Sequence, residues 1–274
     1  MRALGIGESV YPVKNPFEPP IGRMLVVTGH PNHELAILGI IQRARPHVLV
    51  LTDGGGPQRV AESRAVYERL GLLDRVRFLD VPEKDLYQAL LDRSPAALET
   101  LAAETRRMIE QVSPQYVLCE SLEFYNPVHD LSLPVVQAAA KSQTGVKILE
   151  FPLIAERADA PGQYRVQRPP ASREREARSL KLDPGELAFK LEASVHSYPS
   201  LRTQMGGVLD AISSGHATEE FFLEANGWMP EPGRDQALRY EERGRLLAHE
   251  GVVERVITFK DHFLPTVAAL RASA

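Results

Sequence analysis

Three histidines of this chain have the positions that would let them hold one metal ion. His30 and His33 directly follow the apolar run at residues 24–27, and His129 follows a second apolar run far along the chain. Three neutral imidazoles beside an open position form a catalytic zinc site in proteins. The pattern therefore predicts a metallohydrolase with Zn2+ as the expected ion. Fe2+ is the alternative, because three imidazoles do not determine which metal binds.

The segments around these histidines predict a parallel sheet. Short apolar runs indicate strands at Met24–Thr28, His47–Thr52, 76–79, 115–119 and 146–151. Amphipathic segments between them indicate helices at 33–43, 58–70, 95–112 and 131–141. Strands that alternate with helices are typical of βαβ units. We therefore expect an α/β fold with a Rossmann-like, mostly parallel sheet and helices on both faces.

Candidate site residues fall at the carboxyl ends of these predicted strands. His30 and His33 follow the first strand, Asp53 follows the second, and the loop at residues 120–129 follows the fourth. Ligands of open α/β sheets bind outside the carboxyl ends of the strands. We therefore expect the three loops to converge on one rim of the sheet.

The pattern of the chain indicates three parts. Residues 1–23 contain four prolines and little periodicity, which favours an extended arm. Residues 24–160 form the predicted α/β metal-binding core, and residues 161–274 form a largely helical extension packed on it. No flexible linker separates the last two parts, so one continuous domain is expected. In the extension we predict an edge strand at 163–166 and helices at 184–194, 200–213, 232–250 and 252–259.

Composition excludes several classes of protein. The 274 residues carry a formal net charge of −4, which gives no general attraction to nucleic acid or anionic lipid. No apolar run approaches the roughly 20 residues that span a bilayer, and a single cysteine excludes an internal disulfide. We expect a cytoplasmic homo-oligomer that acts on a small-molecule substrate and has no nucleic-acid or membrane partner.

The motifs resemble, in order and spacing, those of the LmbE-like (PIG-L) zinc-dependent N-deacetylases. The family's His-Pro-Asp-Asp-Glu motif corresponds to His-Pro-Asn-His-Glu at residues 30–34, and its Leu-Thr-Asp-Gly element to residues 51–54. A helix with an Arg, a Glu and a closing Leu-Gly corresponds to Arg59, Glu62 and residues 70–71. The family's His-Pro-Asp-His signature appears as Asn-Pro-Val-His at residues 126–129. The resemblance covers about residues 24–155.

This resemblance implies a zinc ion on His30, His33 and His129, with His33 in place of the usual carboxylate. The implied reaction is hydrolysis of an amide C–N bond, as in N-deacetylation of a small amino sugar-like or specialised metabolite by metal-bound hydroxide. Glu34 is expected to orient the ligands through hydrogen bonds. The remaining candidates, for substrate binding, are Arg59, Asp53 and His196.

Two catalytic positions depart from the family pattern. Asn32 stands where members have the aspartate that acts as general base, and an amide cannot take up that proton. A positioned base contributes about 10²–10⁴-fold to the rate. Asn126 replaces a histidine that helps to stabilise the oxyanion, and it offers a hydrogen bond without positive charge. The nearby carboxylates that could serve as base are Glu34, Glu120, Glu123 and Asp130, and Glu123 is the freest of them by sequence. Otherwise hydroxide attacks without a base, since zinc lowers the pKa of bound water to about 7.

Three functions therefore stay open at this level. The first is a zinc-dependent deacetylase, and the second is a diverged member whose histidine-bound metal does other chemistry, such as iron-based redox chemistry. The third is a metal-binding subunit without hydrolytic activity. The alternative for each histidine is an ordinary core or surface residue that binds no metal.

Overall fold

A computed structural model describes residues 23–157, 159–160, 162–203, 218–225, 227 and 238–274. Within these ranges the strands are β1 (Met24–Thr28), β2 (His47–Thr52), β3 (Val76–Val81), β4 (Tyr116–Glu120), β5 (Lys147–Phe151), β6 (Ile154–Glu156), β7 (Tyr164–Val166), β8 (Arg178–Lys181) and β9 (Glu219–Glu224). The α-helices are α1 (Leu38–Ala44), α2 (Pro57–Arg69), α3 (Glu83–Leu91), α4 (Ala96–Val112), α5 (Ser132–Ala140), α6 (Pro184–His196), α7 (Arg239–His249) and α8 (Leu264–Ser273). Shorter helical turns cover His33–Ile37, Leu73–Arg75, His129–Leu131, Ala171–Arg173 and Phe259–Phe263.

A mostly parallel sheet forms the centre of the fold. In the described part of the chain it has seven strands in the order β3-β2-β1-β4-β5-β9-β8. The first five strands of this order are parallel, and β9 and β8 add an antiparallel edge. The strand order reverses between β1 and β4, which is where a doubly wound sheet opens its ligand-binding crevice. The predicted α/β fold with a mostly parallel sheet is confirmed.

The apolar core lies on both faces of this sheet. Leu25 and Val27 of β1 pack with residues of α3, α4, α5 and α8, whereas Met24 and Val26 pack with residues of α1 and α2 on the opposite face. All five residues of β1 are buried. A strand that is buried on both faces is apolar without interruption, which is why the sequence identifies it.

The second half of the chain contributes strands as well as helices. Strands β8 and β9, which the sequence analysis did not predict, extend the sheet beside β5. The Glu220 carboxylate of β9 accepts hydrogen bonds from the backbone amides of Gly39 (2.9 Å) and Ile40 (2.8 Å) at the start of α1. The buried Lys190 ammonium of α6 donates to Glu220 at 2.9 Å and to the Ala36 carbonyl at 2.9 Å. These bonds join the second half of the chain to the segment that follows His33.

The predicted helix at 252–259 is wrong. Residues 252–258 are irregular, and helical structure starts only at Phe259 and continues through α8. Gly251 has a φ of 73° and ends the preceding helix, and the β-branched residues Val252, Val253 and Val256 disfavour a new one.

Other sequence predictions fall partly outside the described residues. These are the arm at residues 1–23, of which only residue 23 is described, and parts of the helices at 200–213 and 232–250. The short helix α3 was not predicted. None of the helices in the described ranges combines the length and apolarity that a bilayer crossing requires.

Candidate metal centre

The structure brings the three predicted ligands together at the rim of the sheet. His30 and His33 follow β1, and His129 lies between β4 and α5. One ring nitrogen of each histidine lies within 4.8 Å of the others. The ring centroids are 5.0 Å apart for His30 and His33, 4.7 Å for His30 and His129, and 4.4 Å for His33 and His129. Because β1 and β4 are neighbours in the sheet, their loops meet at the point where the strand order reverses.

The protonation state of these imidazoles suits a metal. Burial lowers the pKa of His30, and it lowers the pKa values of His33 and His129 well below the ordinary value of 6.5. The rings are therefore neutral near pH 7, which is the form that binds a metal ion. In the described structure the buried Nδ1 atoms of His30 and His129 have no hydrogen-bond partner. Nitrogens at 2.0–2.1 Å from a tetrahedral zinc are about 3.4 Å apart, so small side-chain shifts would fit the cluster to such an ion.

Glu120, the last residue of β4, contacts His33. Its Oε1 atom lies 2.8 Å from His33 Nδ1 and accepts the Gly29 backbone N–H at 2.7 Å. Its Oε2 atom accepts a hydrogen bond from the Ser132 hydroxyl at 3.0 Å. The carboxylate is fully buried, and this burial raises its pKa to about 7. The sequence analysis named Glu120 only among the carboxylates that could serve as base, and it missed the contact with His33.

Glu83, the first residue of α3, contacts His30 and was also missed. Its Oε1 atom lies 3.1 Å from His30 Nε2, without the angle of a good hydrogen bond, and accepts the Tyr87 hydroxyl at 2.7 Å. Burial alone would raise the pKa of Glu83, but its contacts with His30, Tyr87 and Asn126 outweigh burial and bring the pKa to about 2. An ionised carboxylate therefore lies beside His30. Its position at the carboxyl end of the third parallel strand was the signal that could have identified it.

Asp53, a predicted substrate contact, organises this same rim. Its Oδ1 atom accepts hydrogen bonds from the backbone amides of Gly55 and Glu83, both at 3.0 Å. The carboxylate thereby ties the loop after β2 to the start of α3 and places Glu83. A contact between Asp53 and substrate stays a prediction.

Asn32 and Arg59 form a buried link between the first two rim loops. Asn32 has a left-handed φ of 74°, and its Oδ1 atom accepts a hydrogen bond from Arg59 Nε at 2.8 Å. Its Nδ2 atom lies 3.4 Å from the Arg59 carbonyl and 3.4 Å from Glu62 Oε2. Arg59 also donates to the carbonyls of Pro31 (2.7 Å) and Gly54 (3.0 Å). Each of the three guanidinium nitrogens of Arg59 thus donates one hydrogen bond within the protein. A contact between Arg59 and substrate stays a prediction.

Two of the carboxylates considered as replacement bases, Glu123 and Asp130, are bound to the backbone. Glu123 accepts the Leu153 amide at 3.1 Å and the Ile154 amide at 2.7 Å, and it is 3% exposed. Asp130 accepts the amides of Glu123 (2.8 Å) and Phe124 (3.0 Å). Burial raises the pKa of Asp130 to about 7 and raises that of Glu123 well above 4.5. The structure gives both residues the role of shaping the loop before His129, and it offers no support for either as a base.

Asn126, expected near the oxyanion, is also bound within the protein. Its Oδ1 atom accepts the Val128 amide at 2.8 Å, and its Nδ2 atom donates to the Tyr87 hydroxyl at 3.1 Å. The side chain therefore fixes the turn before His129 and orients Tyr87. Stabilisation of an oxyanion by Asn126 stays a prediction.

The two remaining candidates lie in different environments. Glu34 is fully buried next to His33 and accepts a hydrogen bond from the Tyr198 hydroxyl at 3.3 Å, and burial raises its pKa. This contact fits a supporting role and ties the segment after α6 to the rim. His196 is exposed at the end of α6, and no described contact joins it to the three histidines.

Known proteins match this chain in structure but not in sequence. No protein-family model matches the chain, and no curated protein matches it. The fold is similar to the zinc-inhibited form of teicoplanin deacetylase Orf2, with a TM-score of 0.50 and 12% identity over 74% of this chain and 97% of that one. It is similar to A40926 pseudoaglycone deacetylase Dbv21, with a TM-score of 0.51 and 14% identity over 76% and 99% of the two chains. It is also similar to the conserved protein TT1542 from Thermus thermophilus, with a TM-score of 0.51 and 18% identity over 79% and 100%.

These similarities concern the fold. Two of the solved structures are described as deacetylases, and the α/β fold with a mostly parallel sheet that the sequence predicted is like theirs. At identities of 12–18% a similar fold does not carry an activity from one chain to another.

Proposed function

We propose that this chain is a metal-dependent hydrolase that cleaves the C–N bond of an N-acyl group. The expected reaction is N-deacetylation of a small amino sugar-like or specialised metabolite, with zinc on His30, His33 and His129. The observation that carries the proposal is the cluster of three imidazoles whose ring nitrogens lie within 4.8 Å of one another. The similarity in fold to two proteins described as deacetylases supports it.

The chain supplies neutral ligands and two carboxylates around them. Glu120 lies at hydrogen-bond distance from His33 Nδ1 and leaves the other nitrogen of that ring available. Glu83 places a negative charge beside His30 Nε2. A zinc ion on these ligands would polarise an acyl oxygen and lower the pKa of a water molecule to about 7. Three neutral ligands neutralise less of the ion's charge than a set with a carboxylate, which favours loss of the water proton.

The proposed reaction has no dedicated carboxylate base at position 32. The amide of Asn32 cannot accept a proton, and the Glu123 and Asp130 oxygens accept backbone hydrogen bonds instead. A missing general base costs about 10²–10⁴-fold in rate. We therefore expect slow hydrolysis, or hydrolysis that a basic group of the substrate assists.

Aromatic side chains beside His129 favour a substrate with a ring. Tyr125 lies 6.4 Å from the His129 ring, centroid to centroid, with 31° between the planes. Tyr164 meets Tyr125 edge to face at 5.9 Å and is 37% exposed. Flat aromatic faces next to the cluster suit the apolar face of a sugar or an aromatic group. The cytoplasmic location and the homo-oligomeric state stay predictions.

The test measures metal and product together. Purified protein should contain about one equivalent of zinc and release acetate from at least one member of a panel of N-acetyl amino sugars. Chelation should abolish acetate release, and added zinc should restore it. Asn32→Asp should increase the rate, because it returns a carboxylate to the position of the missing base. No increase at unchanged metal content would count against a weakened deacetylase.

One observation favours a second candidate, a metal-binding protein without hydrolytic activity. Asn32 Nδ2 faces two acceptors, the Arg59 carbonyl and Glu62 Oε2, so an amide fits this position better than a carboxylate. This candidate predicts a bound metal and no acetate release from either the wild type or Asn32→Asp. Colour, or oxygen consumption with iron loaded, would indicate redox chemistry at the same histidines.

A further inference from the structure

The Glu120 carboxylate joins the chain segments that carry all three histidines. It accepts the backbone N–H of Gly29, which directly precedes His30, at 2.7 Å. It lies 2.8 Å from Nδ1 of His33 and accepts the hydroxyl of Ser132, three residues after His129, at 3.0 Å. One side chain thus contacts two segments that are far apart in the sequence, residues 29–33 and Ser132.

The surroundings of Glu120 leave it little freedom to move. The side chain is fully buried, and both oxygens have donors. A Cβ atom on residue 29 would lie only 2.9 Å from Glu120 Oε2 and 3.2 Å from the Ser132 hydroxyl oxygen, so the absence of a side chain at Gly29 makes room for the carboxylate. Because Glu120 cannot move, its contacts hold the Gly29 amide, the His33 ring and the Ser132 hydroxyl in place.

The contact with His33 also sets which nitrogen of that ring faces the cluster. A carboxylate next to Nδ1 favours the tautomer with the proton on Nδ1, because the N–H can then donate to it. The Nε2 atom is left without a proton and can bind a metal. Without Glu120, the two tautomers and several ring orientations of His33 would compete.

We propose that Glu120 is a positioning residue that sets the spacing of the three imidazoles and the tautomer of His33 for one metal ion. This inference rests on the metal site of the proposed function. Glu120 acts through His33 and the backbone, since its oxygens are engaged and shielded from substrate. Carboxylates that contact metal-ligating histidines typically contribute 10–100-fold to metal affinity.

Two substitutions separate the charge of Glu120 from its hydrogen bonds. Glu120→Gln keeps an acceptor for Gly29 and His33 and places an amide next to Ser132, whose hydroxyl can turn to accept. We expect it to weaken zinc binding about 10-fold. Glu120→Leu removes every acceptor, and we expect a loss of about 100-fold.

Zinc affinity is measured by competition with a chromophoric chelator, with the visible spectrum of the Co2+-loaded protein as a second readout. The matched control is Glu241→Gln, a buried carboxylate that accepts the Phe259 amide at 2.8 Å and has no described contact with the three histidines. It should leave zinc affinity and the Co2+ spectrum unchanged. Melting of the metal-free proteins shows whether each variant folds, and Glu120→Gln carries the test if Glu120→Leu does not fold.

The outcomes separate this inference from the proposed function. Wild-type affinity and an unchanged Co2+ spectrum in Glu120→Gln and in any folded Glu120→Leu would overturn the role of Glu120 and leave the metal site intact. An equal loss of affinity in Glu241→Gln would overturn it as well, because the effect would then be general destabilisation. If the wild-type protein binds none of Zn2+, Co2+ and Fe2+, both the proposed metal site and this inference are overturned.

Discussion

Replacing Lys190 by methionine should lower the free energy of unfolding by about 3 kcal/mol, at the low end of the range for breaking a buried ion pair. Lys190 and Glu220 are both fully shielded from solvent, and Nζ donates to Glu220 and to the Ala36 carbonyl at 2.9 Å each. Methionine would leave the carbonyl unpaired and Glu220 without its counter-charge. The cost stays at the low end because Glu220 keeps two amide donors, Gly39 and Ile40, at the N-terminus of α1, where a carboxylate is favoured.

Urea unfolding of the wild type and the variant measures this difference. The matched control is Arg255→Met, because Arg255 pairs with Asp92 at the same 2.9 Å but with both side chains about half exposed. Exposed pairs contribute about 0–1 kcal/mol, so the control should unfold almost like the wild type. The double variant Lys190→Met with Glu220→Gln should recover part of the loss, because it removes the unpaired charge.

The reasoning would be refuted if Lys190→Met cost no more than the Arg255→Met control. The buried pair would then contribute nothing beyond an exposed one, and the link between β9 and α1 would not depend on charge. A loss of about 3 kcal/mol is a large share of the 5–15 kcal/mol that stabilises a typical domain. The variant should therefore be visibly less stable to urea.

Three further predictions concern the rim of the sheet. His129→Ala should reduce bound zinc to a trace in elemental analysis of a folded protein; unchanged stoichiometry would exclude His129 as a ligand. Gly29→Ala should lower the free energy of unfolding by about 1–3 kcal/mol through overpacking and should weaken zinc binding, because the new Cβ would lie 2.9 Å from Glu120 Oε2. A variant with the melting temperature and zinc affinity of the wild type would contradict this. Tyr198→Phe should lower the free energy of unfolding in urea by about 1–3 kcal/mol, because the buried Glu34 loses a donor at 3.3 Å. An unchanged urea midpoint would show that this hydrogen bond does not contribute to stability.

The histidine cluster was predictable because its positions follow from strand ends. His30, His33 and His129 come after apolar runs, and the carboxyl ends of parallel strands share one edge. No long-range information was needed beyond the alternation of strands and helices. The pairing of β1 with β4, which brings His129 to the other two, is the usual order of such sheets.

The contacts of the supporting carboxylates were harder to predict than the histidine cluster. Glu120 lies 91 residues from Gly29 and 87 from His33, and a single glutamate at a strand end has no pattern that reveals such contacts. Glu83 was missed because the short helix α3 that it begins was not recognised. Strand β9 was missed because it has only three apolar residues, at 221–223, between flanking glutamates. The buried Glu220 is explained only by distant partners, Lys190 and the amides at the start of α1.

The antiparallel edge formed by β9 and β8 determines whether the first half of the chain can be produced as a separate fragment. Strand β5 pairs with β4 on one side and with β9 on the other. A recombinant fragment truncated near residue 160 would keep the three histidines but leave the backbone amides and carbonyls along one side of β5 open to water and to other chains. Such an open edge templates intermolecular strand pairing. The fragment that carries the three histidines should therefore aggregate when it is expressed alone. The second half of the chain is needed to cover the open side of β5.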